Sequence, residues 1–281
     1  MGRPKTPVDK SFIKWAGGKR ALLPEILPRL PQHFNAYHEP FVGGGALFFA
    51  MNTERAFLSD ANLRLVRTYR ALQQQTAALI ARLDEHATQH SPDYFAAMRR
   101  RDIDAESSDV EVGAWLLYLN RTAFNGLYRV NAANVFNVPL GTTRSRDSIC
   151  NPPQLWACAE RLQRAHIEHA DFVTTANRPA PGDLVYCDPP YVPLSATSSF
   201  TSYTATAFGY AQQVALRDLA LDWLARGVHV VLSNAWHPLV CELYDGPHFE
   251  LIPLMARRAV AARAPSRAPV TEALILGRSA R

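Results

Sequence analysis

The stretch EPFVGGGALFF, residues 39–49, constrains the fold of this chain more than any other. Three consecutive glycines stand where a run with strand character, AYHEPFV (36–42), meets one with helix character, ALFFAM. Glycine tolerates the left-handed backbone of a tight turn and lets a ligand approach both the backbone and the helix N-terminus. A second short strand, RAFLSD (55–60), ends in an acid. Strand, glycine turn, helix, strand and acid together open a doubly wound α/β sheet. Asp60 lies 17 residues after Gly43, where such folds hold ribose hydroxyls, and it would also serve as N-cap of the following ANLRLV helix. The spacing departs from GxGxxG, because Gly43, Gly44 and Gly45 are followed by Ala46 and Leu47. The dinucleotide fingerprint is therefore incomplete, and a turn of this kind serves several cofactors or none.

A second glycine-rich stretch, FIKWAGGKR (12–20), invites a phosphate-loop reading and fails it. That motif needs a glycine five residues before the Gly-Lys and a Ser or Thr after it, and these positions hold Ile13 and Arg20.

Composition narrows the class. With 281 residues, 48% hydrophobic and 10% aromatic, the chain has material for one large or two small globular domains. No run approaches the roughly 20 apolar residues of a membrane helix, and MGRPKTPVDK lacks the apolar segment of a signal peptide. The four cysteines (150, 158, 187, 241) show no CxxC spacing, which implies free thiols in a cytoplasmic protein and no metal site. The nine histidines show no ligand spacing either. The net charge is +5, carried by 4 lysines and 26 arginines. A GC-rich genome accounts for that bias, yet arginine is also the better donor to phosphates and guanine edges. Clusters at Arg99–Arg101, Arg144/Arg146 and Arg257/Arg258 thus suggest nucleic acid.

Along the chain, helical patterning covers 65–86, PDYFAAMRRR after an N-cap at Ser91, and 110–124. NGLYRVNAANVFNVPLG (125–141) reads as a β-hairpin or ordered loop, and Pro152-Pro153 opens another helix. Strands are expected at 167–170, 184–187, 228–233 and 249–252, with a helix over 211–226. The last segment reads as an antiparallel pair joined by a loop at 263–269. The α/β pattern is interrupted by a mostly helical insertion. We therefore expect a doubly wound Rossmann-like domain, residues 1–66 and 152–281, and an inserted domain, 67–151, carrying the hairpin.

The strand LVYC (184–187) runs into DPPY (188–191), then into the polar run SATSSFTSYTAT (195–206). In a doubly wound sheet the carboxyl ends of the strands face the ligand. Proline has no N–H and fixes φ, so Pro189-Pro190 forces an extended bend whose carbonyls can accept hydrogen bonds. A carboxylate beside such a carbonyl offers two acceptors, which suits the two hydrogens of a planar amine. Tyr191 would stack on the ring that carries the amine. The polar run reads either as a linker or, attached to this bend, as a lid.

Taken in order, FIKWAGGKR, EPFVGGG, LSDAN, YLNRTAFNGLYRVN, FNVPLG and VYCDPPYVPLSAT resemble the motifs of the Dam-type DNA adenine-N6 methyltransferases, of the D12 class with alpha-type order. The resemblance spans almost the whole chain. It implies that S-adenosylmethionine is held by Trp15 and Lys19, by the Phe41–Gly45 turn with Gly43 and Gly45, by Asp60 at the ribose, and by Asp171 and Phe172 beside the adenine ring. It implies that Asp188 and Pro189 accept the N6 hydrogens of a flipped-out adenine stacked on Tyr191, with Asp188 also bordering the cofactor. The insertion resembles a target-recognition domain bound to double-stranded DNA. There Arg129 matches a guanine-reading arginine, Leu127, Pro139 and Lys14 match base contacts, and Phe124 with Asn125 stands where a ring wedges into the stack; Arg144 is a further candidate.

Three positions depart from the family: Thr142 replaces the usual basic residue, NAANV lacks the usual glycine and charge, and ARAPSRAP replaces a late SNG. The target is expected to be GATC or a related short palindrome. Methylation of another planar amine (cytosine N4, RNA adenine, protein glutamine), a non-catalytic DNA-binding protein and a nicotinamide-dependent oxidoreductase are the alternatives. No membrane or obligate protein partner is expected, and a restriction endonuclease as genetic partner stays open.

Overall fold

The computed structural model describes residues 10–142, 145–191, 208–256 and 270–278. The expected lid at 195–206, the loop at 263–269, and Arg144, Arg257 and Arg258 lie outside the described residues. In chain order the helices are α1 (Leu23–Ile26), α2 (Ala46–Ala50), α3 (Leu63–Gln74), α4 (Thr76–Thr88), α5 (Pro92–Arg100), α6 (Asp109–Thr122), α7 (Arg146–Ile149), α8 (Pro152–Leu162), α9 (Tyr210–Ala225) and α10 (Pro238–Leu243). The strands are β1 (Tyr37–Glu39), β2 (Ala56–Asp60), β3 (Ala165–His169), β4 (Leu184–Cys187), β5 (His229–Ala235), β6 (Phe249–Ala256) and β7 (Val270–Gly277). The chain divides into two compact units. One comprises Met1–Gly18, Gly43–Asn52 and Asn62–His169, and the other Lys19–Val42, Thr53–Ala61 and Ala170–Arg281.

The first unit is built around α6. Its sequence VGAWLLYLN is apolar on nearly every face, so the helix buries all round and packs against α3 and α4. The pattern over 65–86 predicted one helix, and the structure divides it in two. Gln75 leaves helical geometry at φ −135°, ψ 42°, which ends α3 and starts α4. Ser91 caps α5 as expected, its hydroxyl accepting the Tyr94 N–H at 3.1 Å.

Residues 125–141 form an ordered loop rather than a hairpin of paired strands. Only two isolated antiparallel bridges occur there, Ala123 with Leu140 and Val130 with Phe136. The Asn131 side chain accepts the N–H groups of Ala133 and Val135, at 3.1 and 3.0 Å, and so takes donors from the tip.

In the second unit six strands run in the order β2-β1-β4-β5-β7-β6. Pairings from β2 through β5 are parallel, while β7 is antiparallel to both β5 and β6. Strand order reverses between β1 and β4, where Tyr37 is in register with Leu184, so the residues after Glu39 and after Cys187 emerge side by side at the switch point. β4 is buried along its whole length, as its LVYC run requires. β1 is shorter than expected because Pro40 supplies no N–H to continue the ladder. β6 is longer than expected and includes Pro253, tolerated because β6 lies at the sheet edge. On one face Trp223 of α9 is fully buried and donates its indole N–H to the Ala176 carbonyl at 2.7 Å.

Candidate active site

Asp188 follows the last residue of β4, and its carboxylate meets the Lys19 ammonium at 2.8 Å. The same ammonium lies 3.6 Å from Glu272 of β7 and 4.9 Å from the centroid of the Tyr191 ring. The Tyr191 hydroxyl donates to Glu272 at 2.7 Å. Two carboxylates, one ammonium and one phenol thus share a largely desolvated corner of the second unit. Burial raises the Asp188 carboxyl to about 6, against the pull of Lys19, and the Glu272 charge adds to the rise. Burial and the two neighbouring carboxylates push the Tyr191 phenol well above its ordinary value, so it stays a neutral donor.

The bend after Asp188 is held from below. Gln213 of α9 donates to the Pro190 carbonyl at 3.0 Å, and Asn234 of β5 donates to the Gln213 oxygen at 2.9 Å. Gln213 and Asn234 are both buried, and Pro189 is buried with them. A buried amide pair of this kind fixes the bend in one conformation.

In the same unit Phe41 stacks on Phe172, with centroids 5.4 Å apart, and Phe208 meets both rings at 5.7 Å. Phe208 escaped the sequence reading because it lies far from both partners along the chain. Asp60 ends β2 half-buried. The N-cap of α3 is Asn62, whose side chain accepts the Leu65 N–H at 3.1 Å, rather than Asp60. Asp171 is exposed, and its carboxylate accepts the N–H and hydroxyl of Thr174 at 2.7 and 2.8 Å. These bonds hold its carboxyl below the ordinary carboxylate value.

In the first unit the glycine turn is closely packed. Gly43 and Gly45 adopt φ of +47° and +62°, a region that penalises any residue with a Cβ. A Cβ at Gly43 would meet the Trp15 ring at 2.9 Å, and one at Gly45 the Tyr69 hydroxyl at 2.7 Å. Trp15 has one face against the Tyr128 ring, centroids 5.0 Å apart and 20° from parallel. The Tyr128 hydroxyl accepts from Arg64, which also pairs with Asp104 at 2.6 Å and donates to the Asn134 carbonyl at 2.8 Å.

The residues expected to touch DNA lie close together on this unit. Buried Asn120 accepts the Lys14 N–H at 3.1 Å and donates to the carbonyls of Lys14 and Gly126, both at 2.8 Å. It thereby staples FIKW to the loop that carries Phe124, Asn125, Leu127 and Arg129. The Phe124 N–H donates to the Pro139 carbonyl at 2.9 Å, and Arg129 donates to the Asn137 side chain at 2.7 Å. Lys14, Phe124, Asn125, Arg129 and Pro139 are exposed, and Leu127 is half-buried. Asn125 takes φ +56°, the left-handed conformation that asparagine tolerates. By contrast, Arg101 and Arg146 of the basic clusters are already paired with acids, Arg101 with Glu106 and Glu111 and Arg146 with Asp84.

A family described as D12 class N6 adenine-specific DNA methyltransferase matches residues 15–260. The chain is 40% identical over 271 residues to the type II methyltransferase M1.LlaDCHI of Lactococcus lactis subsp. cremoris, covering 95% of this chain and 94% of that protein. It is 34% identical to a DNA adenine methylase of Haemophilus influenzae, covering 95% and 93%. It is 32% identical to the DNA adenine methylase of Escherichia coli K12, covering 95% of each chain.

Proposed function

Because this chain belongs to the D12 class of N6 adenine-specific DNA methyltransferases, we propose that it methylates N6 of an adenine turned out of duplex DNA, within GATC or a related short palindrome, using S-adenosylmethionine. The observation that carries this reading is the half-buried Asp188-Pro189-Pro190-Tyr191 corner at the switch point of the sheet. An adenine inside a duplex has its N6 paired and out of reach, so the base must leave the stack to enter such a corner.

S-adenosylmethionine, when bound, supplies a methyl carbon made electrophilic by the attached sulfonium. The absence of a Cβ at Gly43 and Gly45 makes room for the Trp15 ring and the Tyr69 hydroxyl, so the turn fixes Trp15, a residue assigned to this ligand, against its backbone. By the family resemblance we assign cofactor contacts to Trp15, Lys19, Phe41, Gly43, Gly45, Asp60, Asp171, Phe172 and Asp188. Asp188 and the Pro189 carbonyl accept the two N6 hydrogens while Tyr191 carries the ring. Polarising both N–H bonds makes the nitrogen lone pair more tetrahedral and more nucleophilic. Asp188 keeps its negative charge beside the nitrogen as positive charge develops on it, and the departing proton need not go to Asp188 itself. The contribution of the chain is mainly orientation and electrostatics.

Residues 67–151 are assigned to target recognition, with Arg129 reading a guanine and Lys14, Leu127 and Pro139 touching bases. Phe124 and Asn125 fill the stack as the target leaves. Arg144 is retained as a DNA contact. No helix among the described residues is long and apolar enough to cross a membrane, and action on chromosomal or phage DNA in a bacterial cytoplasm is the setting we assign.

Transfer of a tritiated methyl group to unmethylated duplex DNA tests the reading. Asp188→Ala should lose most turnover while still binding some S-adenosylmethionine, and unchanged turnover would sink the assignment. Mapping methylated adenines in a methylation-free host gives the target sequence directly.

A further inference from the structure

Glu272 is the one charged residue of the final strand, VTEALILG, and its side chain is only 17% exposed. β7 sets it opposite Ala235 of β5 and Leu254 of β6, neither of which can hydrogen-bond a carboxylate through its side chain. A hydrophobic residue of similar volume would fill such a place at less desolvation cost. Among the described residues its side-chain partners lie instead in the corner described above: the Tyr191 hydroxyl at 2.7 Å and the Lys19 ammonium at 3.6 Å.

We propose that Glu272 is a positioning residue for methyl transfer, tethering the Tyr191 ring by its hydroxyl and offering Lys19 a second carboxylate so that Asp188 can receive the N6 amine. The inference rests on the function proposed above and adds a residue to it. An ammonium 2.8 Å from Asp188 competes with the amine for the same carboxylate. A basic group held between two carboxylates can lean towards one when the other is engaged. With Glu272 absent, Lys19 would have only Asp188 of the two, and the amine would have to displace it. The hydroxyl tether acts on the other side of the base, because a phenol bonded at its far end cannot swing its ring. Both effects concern the bound adenine, so they should appear in kcat more than in the KM for DNA.

The test compares wild type, Glu272→Gln and Tyr191→Phe by steady-state transfer of a tritiated methyl group to unmethylated duplex DNA across pH. Glu272→Gln should lower kcat by about tenfold or more, the scale of a small misplacement of reacting groups, with KM for DNA within about threefold of wild type. Its acid limb should also move to lower pH, because one of the negative charges near Asp188 is gone while Lys19 remains; Glu39, Tyr186, Cys187 and Tyr191, the other titratable groups nearby, are unaltered. A residue that served packing alone would not move that limb. Tyr191→Phe keeps the ring and removes the hydroxyl that bonds Glu272 and also reaches Asp188, so it tests the tether even if Glu272→Gln fails to fold, the loss it shares with Glu272→Gln being read from the double variant. A fall in kcat of about threefold to tenfold is expected from it. In the double variant the two losses should be less than multiplicative. Wild-type kcat and an unmoved acid limb in a natively folded Glu272→Gln, or unchanged kcat in Tyr191→Phe, overturns the inference while the proposed function stands. Failure of the wild-type protein to methylate adenine overturns the function itself.

Discussion

Replacing Gly45 by alanine should destabilise the first unit severely, and the size of the loss can be worked out from two contributions. Gly45 caps α2 in the left-handed region, at φ 62° and ψ 31°. Placing a Cβ-bearing residue there costs about 1–2 kcal/mol. The new methyl would also sit 2.7 Å from the Tyr69 hydroxyl and 3.2 Å from the Phe49 ring. Tyr69 is fully buried and donates to the Gly43 carbonyl at 3.1 Å, so it cannot swing aside without breaking that bond. Overpacking of this kind costs about 1–3 kcal/mol. Together the two predict a loss of about 2–5 kcal/mol. Urea unfolding of wild type, Gly45→Ala, Tyr69→Phe and the double variant measures both parts. Removing the hydroxyl takes away the nearest obstacle and leaves the backbone strain, so in the Tyr69→Phe background the alanine should cost only about 1–2 kcal/mol. A loss under about 0.5 kcal/mol in the wild-type background, or the same loss in both backgrounds, would refute the reasoning.

Three further outcomes follow, two from Asp188 and one from Arg129. In the proposed mechanism the Asp188 carboxyl, raised from 3.8 to about 6, accepts an amine hydrogen and stabilises the developing positive charge only when ionised, so kcat/KM should fall about tenfold per pH unit below that value. The stability effect runs the opposite way. A raised folded-state value favours the protonated acid, so the contribution is present below 3.8 and lost as pH rises through about 6. Urea unfolding should therefore show Asp188→Asn gaining up to about 3 kcal/mol on wild type between pH 4 and pH 8. Arg129→Ala should weaken discrimination at one base pair of the target by about 1–3 kcal/mol, read by competition between cognate and single-substituted duplexes.

Local chemistry was legible wherever a few neighbouring residues decide the backbone. LVYC became β4 with the expected bounds, because a buried parallel strand must be apolar on both faces. The glycine turn and the Ser91 cap followed for equally local reasons, φ sterics in one case and an orphan N–H in the other. The break at Gln75 was hidden, since its neighbours keep the helical period on both sides and the division serves packing of α3 and α4 on α6. The loop at 125–141 carried strand-forming residues, yet Asn131 took backbone donors near its tip.

The chemistry of the site divides along the same line. Asp188, its prolines and Tyr191 stand out in the sequence because four consecutive residues set a carboxylate, carbonyls next to residues without an N–H and an aromatic ring side by side. Glu272, 81 residues beyond Tyr191 along the chain, looks in the sequence like one acid in a strand. Only the antiparallel insertion of β7 beside β5 brings its carboxylate to the phenol and to Lys19. Bond geometry and side-chain chemistry are properties of the sequence itself. The electrostatic state of a buried carboxylate depends on which distant charges the sheet places beside it, and that is decided by strand order.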